Sequence, residues 1–320
     1  MHVTIVAVKS KIPVKNYGGT QRDIWALAKE LVKLGHQAAF VVKKGSHCAF
    51  AEVIEHDPGK SLQDQIPDRT DVVHCHHRIG QTLKQKTMFT IHGTGKLGEV
   101  FDVNSVFVSR NHAQRHGSQS FVYNGLDFDE LGPVDLNAER RYLLFLGKVS
   151  WKLKNCKGAV EIAKMADKRL HIMGGRRFDL DPRIRYHGLV GGRKKSRIIQ
   201  HAEALLFPVI WHEPQGLAII ESLYFGCPVF GTPYGSLPEI VKPEFGFLSR
   251  SKGELAEAVQ HAGDYDRKAC HEYVRENFSA EKMTADYLQL YQRLLDGETL
   301  NEKPPQILEK EPRDFFYLTD

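Results

Sequence analysis

The sequence predicts an α/β protein made of two doubly wound, Rossmann-like units in series. Short apolar strands alternate with amphipathic helices in the first part of the chain, a charged segment with Pro133 interrupts this rhythm, and the rhythm then starts again. Such alternation is typical of a mainly parallel sheet covered by helices on both faces. A chain of 320 residues is long enough for two domains that each bury a core.

The first unit is expected to span residues 1–135. "VTIVAV" predicts the first strand, and "TQRDIWALAKELVKLG" predicts a helix capped at Thr20 and ended by Gly35. The segment "DFDELGPVDLNAERR" then places the domain boundary between residues 128 and 140. The other predicted strands are "HQAAFVV", "AEVIE", "DVVHC", "MFTIH", "SVFVS" and "SFVYN".

The second unit is expected to span residues 136–280. Its predicted helices lie near Cys156 to Asp167, Arg193 to His201 and Gly216 to Phe225, and the pattern is helical again from Gly253. Residues 281–320 are expected to hold a helix that packs back on the first domain, followed by a tail after Asp296 with little pattern for order. The predicted strands are "YLLFLGKV", "RLHIMGG", "IRYHGLV", "ALLFPVI" and "CPVFGTP".

Composition and charge indicate a globular protein of the cytoplasm. Hydrophobic residues make up 42% of the chain, no apolar run approaches the ~20 residues that span a bilayer, and the N-terminus reads as a strand rather than a signal peptide. Five scattered cysteines without a C-x-x-C pair indicate reduced thiols. A net charge of +5 suits phosphorylated ligands or loose contact with an anionic membrane, but it is too weak for a nucleic-acid partner.

The stretch "WHEPQGLAIIESLYFGCPV" predicts a helix whose start is open to a ligand. Pro214 fits the first helical turn, and Gly216 leaves the backbone uncovered. Free amides at Gly216 and Leu217 could therefore bind an anion such as a pyrophosphate. The carboxylates of Glu213 and Glu221 only accept hydrogen bonds, so we expect them to face sugar hydroxyls. The competing interpretation is a polar helix cap and a surface acid.

The loop "NYGGTQR" joins the first strand to the first helix. Gly18 and Gly19 would let the backbone approach a ligand closely, although a plain tight turn explains them equally well. The loop is not the G-x-G-x-x-G of a dinucleotide site, and "FVVKKG" supplies no acid at the end of the second strand. These two observations argue against an NAD enzyme.

A cluster of lysines follows the first strand of the second unit, in "LGKVSWKLKNCKG". Basic side chains beside a helix start could neutralise a leaving diphosphate without a metal, although most lysine clusters are simply solvated. No G-x-x-x-x-G-K-[ST] motif is present, so the segment is not a Walker A loop. The cluster consists of Lys148, Lys152, Lys154 and Lys157.

Histidines mark the ends of two strands in the first unit. "DVVHCHH" suggests zinc, but alternation along a strand sends His74 and His76 to one face and Cys75 and His77 to the other, which argues against a metal site. His92 in "FTIHGTG" leaves its strand at a glycine-rich loop. It is either a substrate contact or a hydrogen-bonded structural residue.

Taken together, these motifs resemble glycosyltransferase family 4, a group of retaining enzymes that use nucleotide sugars and have the GT-B fold. "EPQGLAIIESLYFGCPVFGTPYGSLPEIV" is similar to the E-x7-E motif of the family and the segments that follow it. "YGGTQR", "FTIHGTG", "VYNGLDFDEL" and "FLGKVSWKLKNCKG" support the resemblance, which runs from about Met1 to Leu295.

The resemblance implies two Rossmann-like domains facing across a cleft, and a role for each site residue. Glu221 would hold the ribose hydroxyls, Glu213 would lie at the donor sugar, and His92 near the sugar and the acceptor. Lysine at 148 stands where the family has arginine and loses its bidentate fork, and the inserted "WKLKNC" makes Lys154 a rival to Lys157 for the phosphate. Implied catalytic residues are Glu213, His92, Lys148 and Lys157, and implied donor-binding residues are Gly18, Gly19, Lys154, Gln215, Gly216, Leu217 and Glu221.

The implied reaction is transfer of a sugar from a nucleotide-diphosphate sugar to a hydroxyl of a glycan, a lipid-linked molecule or a small molecule. UDP- and GDP-sugars are the favoured donors, and no cofactor or metal is implied. Peripheral contact with the inner face of a membrane is a further expected interaction. The alternatives are a sugar-nucleotide epimerase or a phosphorylase on the same fold and, in another class, a non-catalytic anion-binding module.

Overall fold

The computed structural model describes residues 1–14, 18–308 and 319, which form two compact units. The first unit contains the described residues of Met1–Val14, Gly18–Asp127 and Ser279–Lys310. The second contains Phe128–Phe278 together with Thr319. The chain passes from the first unit to the second after Asp127 and returns to the first at Ser279.

The first unit is built on a six-stranded parallel sheet with the order β3-β2-β1-β4-β5-β6. The central strand β1 is buried along its whole length and β2 along all but its first residue, and both are mainly apolar, as expected for strands covered on both faces. The strands are β1 (His2–Ala7), β2 (Gln37–Val42), β3 (Glu52–Glu55), β4 (Val72–Cys75), β5 (Lys86–Ile91) and β6 (Ser105–Phe107), and the helices are α1 (Gly19–Lys33), α2 (Arg110–Arg115) and α10 (Ala280–Leu295).

The second unit repeats this plan, with the strand order β12-β11-β10-β7-β8-β9 in a second parallel sheet. Each sheet is thus doubly wound, and the fold class predicted from the sequence is confirmed. The strands are β7 (Tyr142–Leu146), β8 (Leu170–Met173), β9 (Ile184–Gly188), β10 (Ala202–Phe207), β11 (Val229–Gly231) and β12 (Gly246–Leu248). The helices are α3 (Phe128–Leu131), α4 (Cys156–Met165), α5 (Gly192–Gln200), α6 (Leu217–Tyr224), α7 (Leu237–Ile240), α8 (Lys252–Ala258) and α9 (Arg267–Asn277).

Two local predictions were wrong, and one strand was missed. Helix α1 is not capped by Thr20, because the helix already begins at Gly19 and Gly18 occupies the N-cap without any side-chain cap bond. "SFVYN" forms no strand, since Phe121 makes only one isolated bridge to Phe107. The three-residue edge strand β12 was missed because it is too short to show a pattern.

The C-terminal helix α10 packs against α1 in the core of the first unit, where Tyr287 and Tyr291 are fully buried beside Ile24 and Leu27. The expectation of little order after Asp296 is wrong up to residue 308. In that segment the amide of Gln306 donates to the carbonyl of His116 (2.8 Å). The "FFYL" segment lies outside the described residues.

Within residues 1–14, 18–308 and 319, no helix is both long and apolar enough to cross a membrane. All five cysteines lie in this part of the chain, and each is a free thiol.

Candidate active site

The second unit has a topological switch point between β7 and β10. These strands are neighbours in the sheet, and the chain winds away from them in opposite directions. The loops that leave their carboxyl ends, residues 147–155 and 208–216, therefore border a crevice of the kind in which doubly wound folds bind ligands. The amide of Ile210 donates to the carbonyl of Leu153 (2.9 Å) and ties the two loops together.

A buried ion pair lies in this crevice. The Nζ atom of Lys154 is 2.5 Å from Oε2 of Glu213, and both side chains are buried. The indole Nε1 of Trp211 donates to the same carboxylate oxygen (2.9 Å). The ammonium also lies 5.2 Å from the ring centres of Phe207 and Trp211, within range of cation–π attraction. A cation and a carboxylate are thus held in one fixed arrangement.

The backbone around Asn155 explains why Lys154 turns into the crevice. Asn155 has a left-handed conformation (φ 53°), which ends a short 3-10 turn and starts α4. Its side-chain oxygen accepts from the amide of Gly158 (3.0 Å), and its Nδ2 donates to the carbonyl of Pro208 (2.9 Å). Asparagine tolerates this conformation and supplies the helix cap, so one residue fixes the direction of its neighbour.

The backbone of Glu213 is held from behind by the loop after β11. The amide of Ser236 donates to the carbonyl of Glu213 (2.9 Å), and its hydroxyl donates to the carbonyl of Gln215 (2.8 Å). Gly235 has φ 65°, and a Cβ there would lie 2.3 Å from the backbone N and O of Glu213. No side chain fits at that distance, so the close approach requires glycine.

Helix α6 starts at Leu217, directly after this loop. Gly216 is its N-cap with φ 81°, and no side chain caps the helix. Because no side chain caps them, the first-turn amides of α6 can donate to a ligand, and their partial positive charge favours an anion there. The left-handed conformation of Gly216 favours glycine at this position.

Glu221 lies one turn into α6 and forms a second buried ion pair. Its Oε1 is 2.5 Å from Nζ of Lys195, on α5, and both side chains are buried. The sequence predicted a helix from Arg193 to His201 but not this pairing. The only signal was the concentration of Arg193, Lys194 and Lys195 at the helix start, which does not show which residue turns inward.

The other two lysines predicted to bind phosphate, Lys148 and Lys157, lie away from the Lys154–Glu213 pair. Lys148 is exposed on the loop after β7. The side chain of Lys157 is 78% exposed, and its ion pair is with Glu161, one turn along α4 (3.5 Å). The structure therefore brings Lys154, and not Lys157, to Glu213.

The predicted residues of the first unit follow two of its strands, with Gly18 and Gly19 at the start of α1 after β1, and His92 directly after β5. Gly19 is the first residue of α1, and Gly18 precedes it with φ 155°. A Cβ on Gly18 would lie 2.5 Å from Oε1 of Gln21, so the backbone and this side chain are tightly packed. Tyr17 of the predicted "NYGGTQR" loop lies outside the described residues.

His92 follows β5 and contacts a neighbouring histidine. Its Nε2 is 2.8 Å from Nδ1 of His76, which follows β4. One step deeper, His74 is bonded through Nδ1 to the hydroxyl of Tyr291 and through Nε2 to that of Thr90, both at 2.7 Å. Sequence analysis did not single out His76 as a partner of His92.

The predicted alternation along β4 agrees with these contacts. His74 and His76 stack on the side that carries Tyr291, whereas Cys75 packs in the other core with Phe89 and Ile91. Burial raises the pKa of the Cys75 thiol to about 12. Within residues 1–14, 18–308 and 319, no group of three or more metal-ligating side chains is placed to hold an ion.

Burial also keeps the histidines of this cluster neutral. It lowers the pKa of His92 to about 4 and that of His74 to about 3, because a charged imidazole would lose its hydration. Burial and the adjacent histidines hold the pKa of His76 well below its ordinary range. At neutral pH each ring therefore carries a single proton and is both a donor and an acceptor.

We expect the stability of the protein to fall as the pH drops from 7 to 5. A histidine in the unfolded chain has a pKa near 6.5, so the unfolded chain binds a proton below that pH. In the folded protein His74 does not bind this proton until about pH 3, so the unfolded state is favoured as the pH falls. His74 alone should lower the free energy of unfolding by about 2 kcal/mol between pH 7 and pH 5. Denaturant unfolding at both pH values should show that His74→Gln loses less unfolding free energy between pH 7 and pH 5 than the wild type does. An equal loss in the two proteins would contradict this assignment.

Comparison with known proteins gives the class of the fold. Residues 140–263 match the family model for Glycosyl transferases group 1, whereas no curated protein matches the chain. The structure is similar to AviGT4, a glycosyltransferase involved in avilamycin A biosynthesis, with 22% identity, 93% of this chain and 99% of that chain covered, and a TM-score of 0.74.

Two further structures extend this likeness. Sucrose-phosphate synthase from Thermosynechococcus elongatus is 16% identical, with 93% and 100% of the two chains covered and a TM-score of 0.72. The catalytic domain of starch synthase IV from Arabidopsis thaliana, bound to ADP and acarbose, is 13% identical, with 92% and 99% covered and a TM-score of 0.69. The fold is therefore GT-B, and the family match supports glycosyl transfer.

Proposed function

We propose that the protein is a retaining glycosyltransferase that moves a sugar from a nucleotide-diphosphate sugar to an acceptor hydroxyl. The observation that carries the proposal is the buried Lys154–Glu213 pair at the switch point of the second unit, beside the uncapped start of α6. A cation and free amides suit a diphosphate, and a carboxylate next to them suits sugar hydroxyls. The match to glycosyltransferases covers this same segment.

Each residue then has a role in holding the donor. The Lys154 ammonium has three hydrogens, so it can keep Glu213 and also bind a phosphate oxygen. The amides of Gly216 and Leu217 bind the diphosphate, and Glu221 accepts from the ribose hydroxyls. The exposed Lys148 and Lys157 add only long-range positive charge, so we assign the direct phosphate contact to Lys154.

The chemistry requires little from the protein beyond charge stabilisation. The bond between the anomeric carbon and the diphosphate oxygen breaks, and Lys154 together with the α6 amides stabilises the negative charge that develops on the leaving group. The acceptor oxygen bonds to the same face of the sugar and passes its proton to the departing phosphate. Configuration is retained, and no metal or cofactor takes part in the proposed step.

The first unit offers a place for the acceptor. A cavity of about 700 Å³ beside β5 is lined by apolar side chains, among them Phe89, Ile91 and Phe101, and by polar ones, among them Arg78 and side-chain amides. A glycan, a lipid-linked molecule and a small molecule all fit the proposal as acceptors, and an amphipathic molecule best matches this mixed lining.

A cytoplasmic location with peripheral contact to an anionic membrane is also part of the proposal. In the loop between β8 and β9, Phe178 and Leu180 are 83% and 85% exposed and follow Arg176 and Arg177. Apolar side chains beside arginines suit the headgroup region of such a membrane. Co-sedimentation with anionic but not neutral vesicles supports this contact, and its absence with both rejects it.

A thermal-shift screen against UDP-, GDP-, ADP- and TDP-sugars tests the donor assignment. A ligand that binds only the folded protein raises its melting temperature. We expect one nucleotide class to stabilise the wild type and the free sugar to have no effect. Once an acceptor is found, formation of its glycoside separates transfer from epimerisation, and the anomeric configuration of that product, read by NMR, separates retaining from inverting transfer. A screen in which no nucleotide shifts the melting temperature would contradict the proposal.

A further inference from the structure

The contact between His76 and His92 has an unusual feature on its buried side. Nδ1 of His76 is 2.8 Å from Nε2 of His92, and the two rings are nearly parallel, with an interplanar angle of 22°. The other nitrogen of His76, Nε2, is buried and has no hydrogen-bond partner among the residues that the structure describes. His76 thus makes one ring hydrogen bond, and that bond is to His92.

The position of His76 is well fixed. Its backbone amide donates to the carbonyl of Val6 (3.0 Å), and its ring packs on that of His74 with centroids 4.2 Å apart. His74 cannot accept a bond from it, because both nitrogens of His74 are engaged by Tyr291 and Thr90. The direction of the single proton between His76 and His92 is therefore the remaining variable.

Two arrangements of that proton are conceivable. If His92 donates from Nε2, then His76 carries its own proton on Nε2 and buries an N–H group without an acceptor. If His76 donates from Nδ1, its Nε2 is a bare lone pair. In folded proteins an orphaned buried N–H group is rarer than an under-satisfied buried acceptor, and either one costs free energy. The second arrangement is therefore favoured.

We propose that His76 is a positioning residue that donates from Nδ1 to Nε2 of His92 and so fixes the proton of His92 on Nδ1. His92 is then a hydrogen-bond donor toward any ligand at the carboxyl end of β5. The group it recognises is an oxygen with a free lone pair, as in a sugar hydroxyl or a phosphate. The tautomer follows from the contacts of this unit alone, and only the identity of the ligand rests on the proposed function.

The tautomer can be measured directly. Long-range proton–nitrogen NMR spectra of ¹⁵N-histidine-labelled protein at pH 7 distinguish the Nδ1–H from the Nε2–H form, and loss of a signal in His92→Gln assigns His92. We expect Nδ1–H for His92 in the wild type. Nε2–H on His92 would overturn the proposal.

Two substitutions at His76 form a matched pair. His76→Asn places an amide N–H near the former Nδ1 and should keep His92 in the Nδ1–H form. His76→Asp offers only acceptors, so it should convert His92 to the Nε2–H form. An unchanged His92 signal in a folded His76→Asp protein would also overturn the proposal, and if that variant does not fold, the wild type and His76→Asn spectra still decide it.

Turnover then tests the consequence of the tautomer. With the nucleotide sugar found in the screen, His76→Asp should lower kcat at least tenfold, whereas His76→Asn should stay within about threefold. Equal kcat in both variants, with the tautomer switched in one, would show that His92 does not act as a donor. A protein that turns over no nucleotide sugar would sink the proposed function, while the spectra would still decide the tautomer.

Discussion

Replacing Lys154 with methionine is expected to destabilise the second unit and to abolish binding of the donor. Methionine matches the length of the side chain but leaves the Glu213 carboxylate buried, with the indole of Trp211 as its one remaining partner in the described part of the chain. Removing one member of a buried ion pair costs about 3–5 kcal/mol, because the remaining charge stays desolvated. In the proposed site, the same change also removes the direct phosphate contact.

Lys157→Met is the matched control, because it removes the same charge two positions after the loop. The exposed pair with Glu161 contributes about 0.5 kcal/mol or less, so this variant should unfold as the wild type does and still respond to the nucleotide. Denaturant unfolding and thermal shift with the nucleotide sugar measure both effects. If Lys157→Met lost the response and Lys154→Met kept it, our assignment of the phosphate contact would be reversed.

Glu221→Gln should have the second largest effect, since it breaks the buried pair with Lys195. We expect a loss of about 3 kcal/mol in the free energy of unfolding and loss of most of the nucleotide-induced thermal shift. The stability loss arises from the unpaired ammonium of Lys195. The binding loss has a different origin in our proposal, because the carboxylate accepts from the ribose hydroxyls.

A double-mutant cycle separates these two causes. Lys195→Met relieves the unpaired cation, so the double variant with Glu221→Gln should recover part of the lost stability. It should not recover the response to the nucleotide, since no carboxylate is restored. Should the double variant regain both, Glu221 would be a structural residue and not a ribose contact.

Periodicity was sufficient to predict the fold class. The apolar runs of "VTIVAV" and "YLLFLGKV" and the amphipathic helices between strands indicated two doubly wound units, which is what the structure contains. Capping was less predictable. Threonine is a common N-cap residue, so Thr20 was a reasonable prediction. The helix instead starts at Gly19, because Gly18 takes the N-cap position in a backbone conformation that glycine adopts more readily than other residues.

The contacts of the candidate site depend on tertiary packing. The sequence shows four lysines in one loop, and nothing in their spacing reveals that the left-handed Asn155 turns Lys154 inward and leaves Lys157 on the exposed face of α4. The Lys195–Glu221 pair joins residues from two helices, and the His76–His92 pair joins the ends of neighbouring strands. Such pairs are set by sheet order, which local patterns do not encode.

A crystal structure with a bound nucleoside diphosphate tests the central claim most directly. We expect the diphosphate at the start of α6, with phosphate oxygens within hydrogen-bond distance of Lys154 and the amides of Gly216 and Leu217, and the ribose hydroxyls on Glu221. A nucleotide bound elsewhere, with Lys154 and Glu213 untouched by ligand, would contradict the account.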